Sequence, residues 1–397
     1  MIGNITIKNY KSVQDLELDL GRVTVLIGAN GCGKSNILEA VALCSAAAGD
    51  KLDYEFLASR GIRVPDDPRF MRSAFEAQDV TNDITLSAVG RQDEELNDND
   101  VAKEPKTFRS VLQNRNSSPY STWSNTAIKK INRSEESIRS LQKRLDSQNK
   151  LNLTIETVRE ILNEIDAINQ RRSSPSGLQD FLIYSPENSS LRTFESEGQI
   201  QPLGIRGEGL FKLLSVLSTE KNMKRLAEIK EELALLDWFD DFEVLSGLST
   251  GERTINIKDK YLDDSLSYFT QKSANEGFLF LLFYFTLFIS RETPSFFAID
   301  NIDASLNPKL CSRLLTELVN LAKTHDKQAI VTTHNPAVLD GLDLNDDDQR
   351  LFVVSRNKLG HTKVKRVRKQ EPLPDQEPVR LSEAFLRGYL GGLPRNF

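Results

Sequence analysis

The chain has 397 residues, with 27% charged and 39% hydrophobic side chains and a formal net charge of −6 at pH 7. This length allows two or three domains, or one large domain with an insertion, and the negative charge argues against a protein coated in positive potential. The longest apolar run, residues 278–289, is too short to span a bilayer, the N-terminus lacks a secretory signal, and three scattered cysteines suit a reducing compartment. We therefore expect a cytoplasmic protein without a membrane anchor.

Residues 1–90 predict the N-terminal part of an α/β domain. Residues 4–10 alternate polar and apolar side chains as a half-buried strand does, and residues 22–28 read as an apolar strand. From residue 36 the apolar side chains recur at helical spacing, so a helix is predicted to follow the second strand.

Residues 91–177 predict an insertion. Up to residue 124 the composition is polar and rich in Asp, Ser and Asn, as loops are. Between Ile128 and Ile168 apolar residues recur at three- and four-residue steps on both sides of a polar break, which predicts an α-helical hairpin resembling a coiled coil. Most of its charged residues fall off the apolar stripe and indicate a solvated face.

Residues 178–397 predict the C-terminal part of the same domain. The apolar run at residues 278–289 predicts a buried helix. It is followed by a strand, a helix and two more strands, at residues 295–300, 308–325, 328–334 and 350–355. Strands separated by helix-length segments favour a mainly parallel sheet with crossover connections. The core is therefore predicted to be assembled from both ends of the chain, with the hairpin inserted between them.

The strongest chemical pattern is GANGCGKS at residues 28–35, which fits G-x-x-x-x-G-K-[ST] between a predicted strand and a predicted helix. The glycines allow backbone N–H groups to turn onto phosphate oxygens, and the helix N-terminus adds its dipole. In this pattern Lys34 neutralises the β- and γ-phosphates of ATP and Ser35 binds Mg²⁺. The predicted nucleotide-binding residues are Gly28, Ala29, Asn30, Gly31, Cys32, Gly33, Lys34, Ser35 and Asn36.

Two strand ends supply candidates for the rest of the site. Asp300 follows the apolar strand FFAI and is the natural second Mg²⁺-binding residue, although an aspartate can also simply end a strand. His334 follows the strand AIVTT, where a neutral imidazole could bind the γ-phosphate or the attacking water; the alternative is an ordinary strand-end histidine.

Together these motifs resemble the SMC, RecF and OLD branch of ABC-type ATPases. IDNIDASLNP, residues 299–308, resembles their Walker B motif and D-loop, and VTTHNP, residues 331–336, resembles their switch histidine. The predicted hairpin lies where such proteins carry a coiled-coil arm. The resemblance implies an ABC-type P-loop ATPase head with a mixed sheet, using ATP and Mg²⁺.

The resemblance also implies a homodimer, because these heads trap ATP between two protomers under a signature loop. Two stretches could be that loop. The first is Asn275, Glu276 and Gly277, which open the apolar helix before the Walker B motif. The second is Leu248–Arg253, LSTGER, which is closer to the usual LSxG pattern but has no strong helix behind it. The first is preferred.

Asn301 stands where most relatives of the Walker B motif carry a catalytic glutamate. An amide cannot accept a proton at physiological pH, so Asn301 can orient water but cannot act as a general base. Losing such a group typically removes about 10²- to 10⁴-fold of rate, which predicts tight ATP binding and slow hydrolysis. Asp303 could substitute as the base or could be a D-loop residue that contacts the partner head.

Within the branch the chain is most similar to ATPase subunits of bacterial anti-phage defence systems such as Septu, PARIS and OLD-type modules. This similarity implies a switch or sensor that controls a separate nuclease or toxin. The alternative is a RecF- or SMC-type DNA repair factor, and a third reading is a scaffold with structural nucleotide. The basic stretch at residues 363–369 is either a solvated edge strand or a phosphate-binding stripe.

Overall fold

The computed structural model describes residues 1–76, 79–91, 105–116, 118, 121–127, 174–193, 202–246, 253–263, 265–368 and 379–393. The strands in these ranges are β1 Ile2–Tyr10, β2 Val13–Asp19, β3 Val23–Ile27, β4 Ile84–Gly90, β5 Thr107–Gln113, β6 Ser124–Asn125, β7 Ile183–Tyr184, β8 Phe239–Ser246, β9 Arg253–Asp259, β10 Phe269–Thr270, β11 Phe296–Ile299, β12 Gln328–Thr333, β13 Gln349–Arg356 and β14 Thr362–Val367. The α-helices are α1 Lys34–Ala48, α2 Tyr54–Ser59, α3 Asn188–Thr193, α4 Leu210–Leu217, α5 Met223–Leu233, α6 Glu276–Ile289, α7 Pro308–Thr324 and α8 Leu381–Leu386. Short 3-10 helices cover Pro68–Met71, Leu178–Asp180, Glu220–Asn222 and Pro336–Gly341.

The chain divides into two compact units that interleave along the sequence. The first unit contains residues 1–20, 36–180 and 356–364, and the second contains residues 21–35, 181–355 and 365–397. The helical hairpin predicted for residues 128–168 lies outside the described residues. It stays a prediction, as do the domain boundaries after residues 90 and 177.

The first unit is built on an antiparallel sheet with strand order β2-β1-β4-β5-β6. In β1, Ile5 and Ile7 are buried while Lys8 is exposed, which is the alternation that predicted this strand. The chain turns back at Lys11 into β2, where Leu16 and Leu18 are buried between exposed acidic neighbours. The sequence pattern did not predict β2.

The second unit is built on a sheet with strand order β14-β13-β3-β12-β11-β7. Strands β13, β3, β12, β11 and β7 pair in parallel, which confirms the predicted α/β class and its mainly parallel sheet. Every residue of β3, β11 and β12 is buried, as expected for strands covered on both faces. Strand β14, which contains most of the basic stretch, is an edge strand.

Helix α6 forms the centre of the core of the second unit. All twelve residues from Phe278 to Ile289 are buried, so the helix is apolar all round, as its sequence predicts. Phe283 packs edge to face on Tyr184 of β7, and Phe288 packs on Phe297 of β11. Each buried side chain of this size contributes about 1.5–3 kcal/mol of hydrophobic stabilisation. The helix thereby fixes the strand that delivers the Walker B aspartate.

A small antiparallel sheet with strand order β10-β9-β8 also belongs to the second unit. Its apolar residues Phe239, Phe242, Ile255 and Ile257 are buried and join the same hydrophobic core as α6. The sequence pattern did not predict these strands.

Candidate nucleotide-binding site

The glycine-rich loop connects β3 to α1, as predicted. A Cβ atom at Gly28 would lie 2.2 Å from the carbonyl oxygen of Val354, so only glycine allows this close approach to β13. Gly33 has a φ of +110°, which also favours glycine. Asn30 and Gly31 form the exposed tip of the loop, whereas Cys32 and Lys34 are buried. The close approach at Gly28 and the positive φ at Gly33 therefore explain why the loop needs glycine at these two positions.

Lys34 lies at the centre of this loop. Its Nζ atom donates to the carbonyl oxygen of Gly28 at 2.7 Å and to that of Ala29 at 3.2 Å, and it lies 3.3 Å from Nδ1 of His334. Burial lowers the pKa of the Lys34 ammonium from its usual value, against the opposing effect of Cys32 and Asp300. The contact with His334 places the predicted switch histidine beside the P-loop.

Ser35 and Asp300 are brought together as the predicted magnesium pair. The Ser35 Oγ atom donates to Asp300 Oδ2 at 2.9 Å, and the Thr332 hydroxyl donates to Asp300 Oδ1. A hydroxyl and a carboxylate are oxygen ligands of the kind that Mg²⁺ takes in P-loop enzymes, where phosphates and water complete the shell. The residues present therefore fit a magnesium ion.

Asn301, Asp303 and His334 lie around the same strand ends. The Asn301 side chain is exposed, its φ is +56°, and its backbone N–H donates to the Thr332 hydroxyl at 2.9 Å. Asp303 Oδ1 accepts from the Thr333 hydroxyl at 2.7 Å and from the backbone N–H of His334 at 3.3 Å. One carboxylate oxygen thus ties the D-loop segment to the switch histidine.

The protonation of His334 follows from its surroundings. Desolvation and then the charge of Lys34 lower the pKa of His334 below its usual value, so the ring is neutral at pH 7. Nδ1 of the ring lies 3.3 Å from the Lys34 ammonium, and the ring also forms a hydrogen bond with the backbone of Gly28. A neutral imidazole has one N–H donor and one nitrogen acceptor, which suit contacts with a phosphate oxygen or with water.

The candidate signature residues form a second cluster. The Asn275 side chain accepts from the backbone N–H of Phe278 and caps α6. Glu276 accepts from Asn188 Nδ2 at 2.7 Å and from the Ser305 hydroxyl at 2.6 Å. Ser305 has a φ of +61° in the segment after Asp303. The start of α6 is therefore joined to the D-loop segment of the same chain.

Asn36 and Gly277 lie apart from the contacts around Lys34 and Asp300. Asn36 belongs to the first unit, where its amide donates to the Ser12 hydroxyl and accepts from Arg63. Gly277 follows Glu276 in the first turn of α6, close to the backbone of Ser305. Residues 248–252 of the alternative signature stretch lie outside the described part of the chain.

Sequence reasoning missed the three hydroxyls that hold these acidic groups. Thr332 and Thr333 precede His334 directly, and Ser305 lies two residues beyond Asp303. Hydroxyl side chains at a strand end, next in sequence to a predicted phosphate-binding histidine, are a signal that would have identified the two threonines. Ser305 gives no such signal, because its partner Glu276 is identified only by the fold.

Comparison with known families agrees with this geometry. The family model described as "AAA domain, putative AbiEii toxin, Type IV TA system" matches residues 23–340, about four fifths of the chain. The chain belongs to this AAA family. The match runs from the start of β3 to the segment after His334, so it includes the P-loop, and Asp300 and His334 with their predicted roles also fall within it.

Individual relatives of this AAA protein match in different ways. A curated OLD nuclease of Thermus scotoductus is 33% identical over 67 residues, which is 17% of this chain and 11% of that protein. The structure of an SMC head bound to the C-winged helix domain of ScpA matches with a TM-score of 0.53 at 15% identity, covering 92% of this chain and 97% of that one. The SMC head of Thermotoga maritima has a TM-score of 0.47 at 15% identity, covering 93% and 99%.

The likeness to the ScpA-bound SMC head confirms the predicted ABC-type head fold. The family match itself shows that the chain carries an AAA domain. In the part of the chain that the structure describes, no helix has both the length and the apolarity to cross a bilayer.

Proposed function

We propose that this protein is a nucleotide-dependent switch that binds ATP with Mg²⁺, dimerises through its heads and hydrolyses ATP slowly. The observation that supports this best is the meeting of Lys34, Ser35, Asp300 and His334 around one loop. When bound, Mg²⁺ would neutralise charge on the β- and γ-phosphates. Lys34 would bind phosphate oxygens, and Ser35 and Asp300 would hold the ion.

Slow hydrolysis rests on Asn301. Its amide offers no base, and its exposed side chain can hold water only by hydrogen bonds. Asp303 is the nearest carboxylate in sequence after Asp300, but one of its oxygens already accepts from Thr333 and His334. A protein that binds ATP tightly and hydrolyses it slowly stays in its ATP-bound form for a long time. That form can then act on a partner protein before it is lost.

Head dimerisation rests on the cluster around Glu276. In that cluster Asn275, Glu276 and Gly277 open α6 and are anchored to Asn188 and Ser305. We propose that this loop closes over the nucleotide of a partner protomer. A higher oligomer built from such dimers is compatible with the same contact.

The biological setting we propose is a cytoplasmic anti-phage defence complex in which this chain controls a separate nuclease or toxin. The matching family's description names a toxin and a toxin–antitoxin system, and a relative over a short stretch is named a nuclease. Three dispersed histidines do not supply an HNH-type nuclease site in this chain. Affinity capture of the chain together with its neighbouring gene products, sized with and without ATP, tests this setting.

The Lys34→Ala variant tests the nucleotide switch itself. Removing the buried ammonium should abolish ATP binding and ATP-dependent dimerisation, measured by calorimetry and by light scattering on a sizing column. Lys221→Ala, which changes an exposed lysine, is the matched control and should bind as the parent does. Unchanged ATP affinity in Lys34→Ala would contradict the proposed site, and turnover at the rate of a motor ATPase in the parent would contradict slow hydrolysis.

A DNA repair or recombination role is the second candidate. It is favoured by β14, an edge strand on which Lys363 and Lys365 are exposed. Binding to DNA through such side chains should weaken steeply with salt. ATP-dependent, salt-sensitive DNA binding that Lys363→Gln with Lys365→Gln abolishes would favour this role over control of a separate effector.

A further inference from the structure

A cavity of about 710 Å³ opens beside the N-terminus of α7, and none of the described residues that line it belongs to the P-loop. Its walls come from three elements of the second unit: the first turns of α7, the 3-10 helix Pro336–Gly341 and the start of α8. Small-molecule sites typically occupy about 300–1,000 Å³. The cavity is therefore large enough for a ligand of nucleotide size.

The walls are held together by short-range contacts, so the cavity is preformed. A Cβ atom at Gly341 would lie 2.3 Å from the carbonyl oxygen of Ser312, which shows how closely the 3-10 helix packs on α7. The Thr316 hydroxyl also contacts the carbonyl oxygen of Gly341 at 3.2 Å. Ser382 of α8 donates to both oxygens of Asp340, from its backbone N–H at 2.9 Å and from its hydroxyl at 2.7 Å.

The charges of the cavity are strongly unequal. Lys309, Arg313 and Arg380 line it, and no ion pair joins any of them to a carboxylate among the described residues. Asp340 is the one carboxylate among the described residues that line the cavity, and both of its oxygens accept from Ser382. Among the described lining residues, three cationic side chains therefore face the cavity together with one carboxylate, Asp340, which already accepts hydrogen bonds from Ser382.

The cavity also has an apolar part. Leu342 and Leu381 contribute to the lining between the charged residues. Cationic groups beside aliphatic side chains suit a molecule that carries phosphates at one end and an apolar or aromatic body at the other.

We propose that this cavity binds a phosphorylated small molecule of nucleotide size, held through its phosphates by Lys309, Arg313 and Arg380. This site is separate from the P-loop and does not depend on the proposed ATP switch. One guanidinium group can donate two parallel hydrogen bonds to a phosphate, so we expect the two arginines to contribute more of the affinity than Lys309 does.

The test uses the full chain with Lys34→Ala, which removes phosphate binding at the P-loop. Inorganic tripolyphosphate and ADP, both without Mg²⁺, are titrated by calorimetry at low salt. We expect one site per chain, with ADP bound more tightly than tripolyphosphate because its base covers the apolar wall. Adding Arg313→Gln and Arg380→Gln should weaken both ligands at least tenfold.

Two control variants separate a specific site from general electrostatics. Arg313→Lys with Arg380→Lys keeps the charge but loses the bidentate guanidinium contacts, so it should weaken both ligands, although less than the Gln pair does. Lys221→Gln with Lys224→Gln removes two exposed charges elsewhere and should change nothing. These side chains are exposed, so folding should be preserved, and thermal unfolding of each variant checks this.

Three results would overturn the proposal. The first is that neither ligand binds the Lys34→Ala chain at millimolar concentration. The second is that Arg313→Gln with Arg380→Gln leaves the affinity for both ligands unchanged. The third is that an acidic peptide such as tetraglutamate binds through the arginines while both phosphate ligands fail to bind. The last result would make the cavity a docking surface for a protein partner instead.

Discussion

Asn301 is unusual in its backbone as well as in its side chain. With a φ of +56° it lies in the left-handed region, which asparagine and aspartate tolerate better than longer side chains do. A glutamate at this position would add backbone strain of about 1–2 kcal/mol while restoring a base. The conformation and the residue type therefore agree with each other.

The Asn301→Asp substitution is the sharper way to restore a base. It keeps the shape and the tolerated φ and adds a carboxylate, so steady-state phosphate release should rise, by as much as about 10²-fold. Asn301→Ala, which removes the water-orienting amide, should lower turnover below that of the parent. If aspartate and alanine gave the same rate, the residue would have no part in hydrolysis.

Asp303 can be tested with two substitutions that differ in one respect. The Oδ1 atom accepts from Thr333 and from the backbone of His334, which is the pattern of a positioning residue. Asp303→Asn keeps that acceptor and should retain most of the turnover, whereas Asp303→Ala should lose about 10- to 100-fold through misplacement of His334. Equal losses in both variants would instead identify Asp303 as the base.

The site residues that sequence could predict are those whose chemistry requires a fixed spacing. The P-loop, Asp300 and His334 belong to this group, and the structure brings Lys34 to His334 and Ser35 to Asp300. The sequence does not show that Thr332 holds Asp300, because this contact depends on how β12 pairs with β11, where Val331 lies opposite Ile299. Pairing of that kind is set by tertiary packing, not by a local pattern.

At the scale of elements, long apolar segments were predicted well and mixed ones were not. Helices α6 and α7 and strands β3, β11 and β12 have strong hydrophobic runs or periodicity. Strand β9 has two buried residues between polar neighbours, and β10 has only two residues in all. Such strands form because neighbouring strands pair with them, and a local sequence pattern does not show that pairing.

Helix α5 carries a stability prediction through Glu232. Burial raises the pKa of Glu232 to about 7, and repulsion from Glu317, Glu228 and Glu231 adds to the effect. Between about pH 4.5 and 7 the folded protein binds a proton that the unfolded chain has released. The free energy of unfolding therefore falls as pH rises through this window, and the penalty is complete above pH 7.

The Glu232→Gln variant should remove that penalty. It should be more stable than the parent at pH 8, by up to about 1 kcal/mol once screening of this partly exposed group is allowed for. At pH 4 the two proteins should have similar stability. Urea unfolding at both pH values measures the difference, and an equal gain at both would show that charge is not the cause.

At the scale of the whole molecule, the contact between Glu276 and Ser305 bears on assembly. The proposed signature loop and the D-loop segment of one chain would face different nucleotides in a head dimer, and this hydrogen bond joins them. Ser305→Ala should leave ATP binding by the monomer unchanged and weaken ATP-dependent dimerisation several-fold, measured by sizing at graded protein concentrations. Ser189→Ala, at an exposed position of α3, is the control. Unaltered dimerisation in Ser305→Ala would rule out the coupling.

The position of β3 in its sheet determines when this sheet can form during translation. Val23 pairs with Ala329 on one side and with Gln349 on the other, so the strand that leads into the P-loop waits for both neighbours until most of the chain has been made. At usual rates of translation this wait is on the order of tens of seconds. A prematurely terminated copy would carry the whole phosphate-binding motif with no sheet to support it. We therefore expect only chains in which β12 and β13 have been synthesised to bind ATP at this loop, and truncated chains not to bind it.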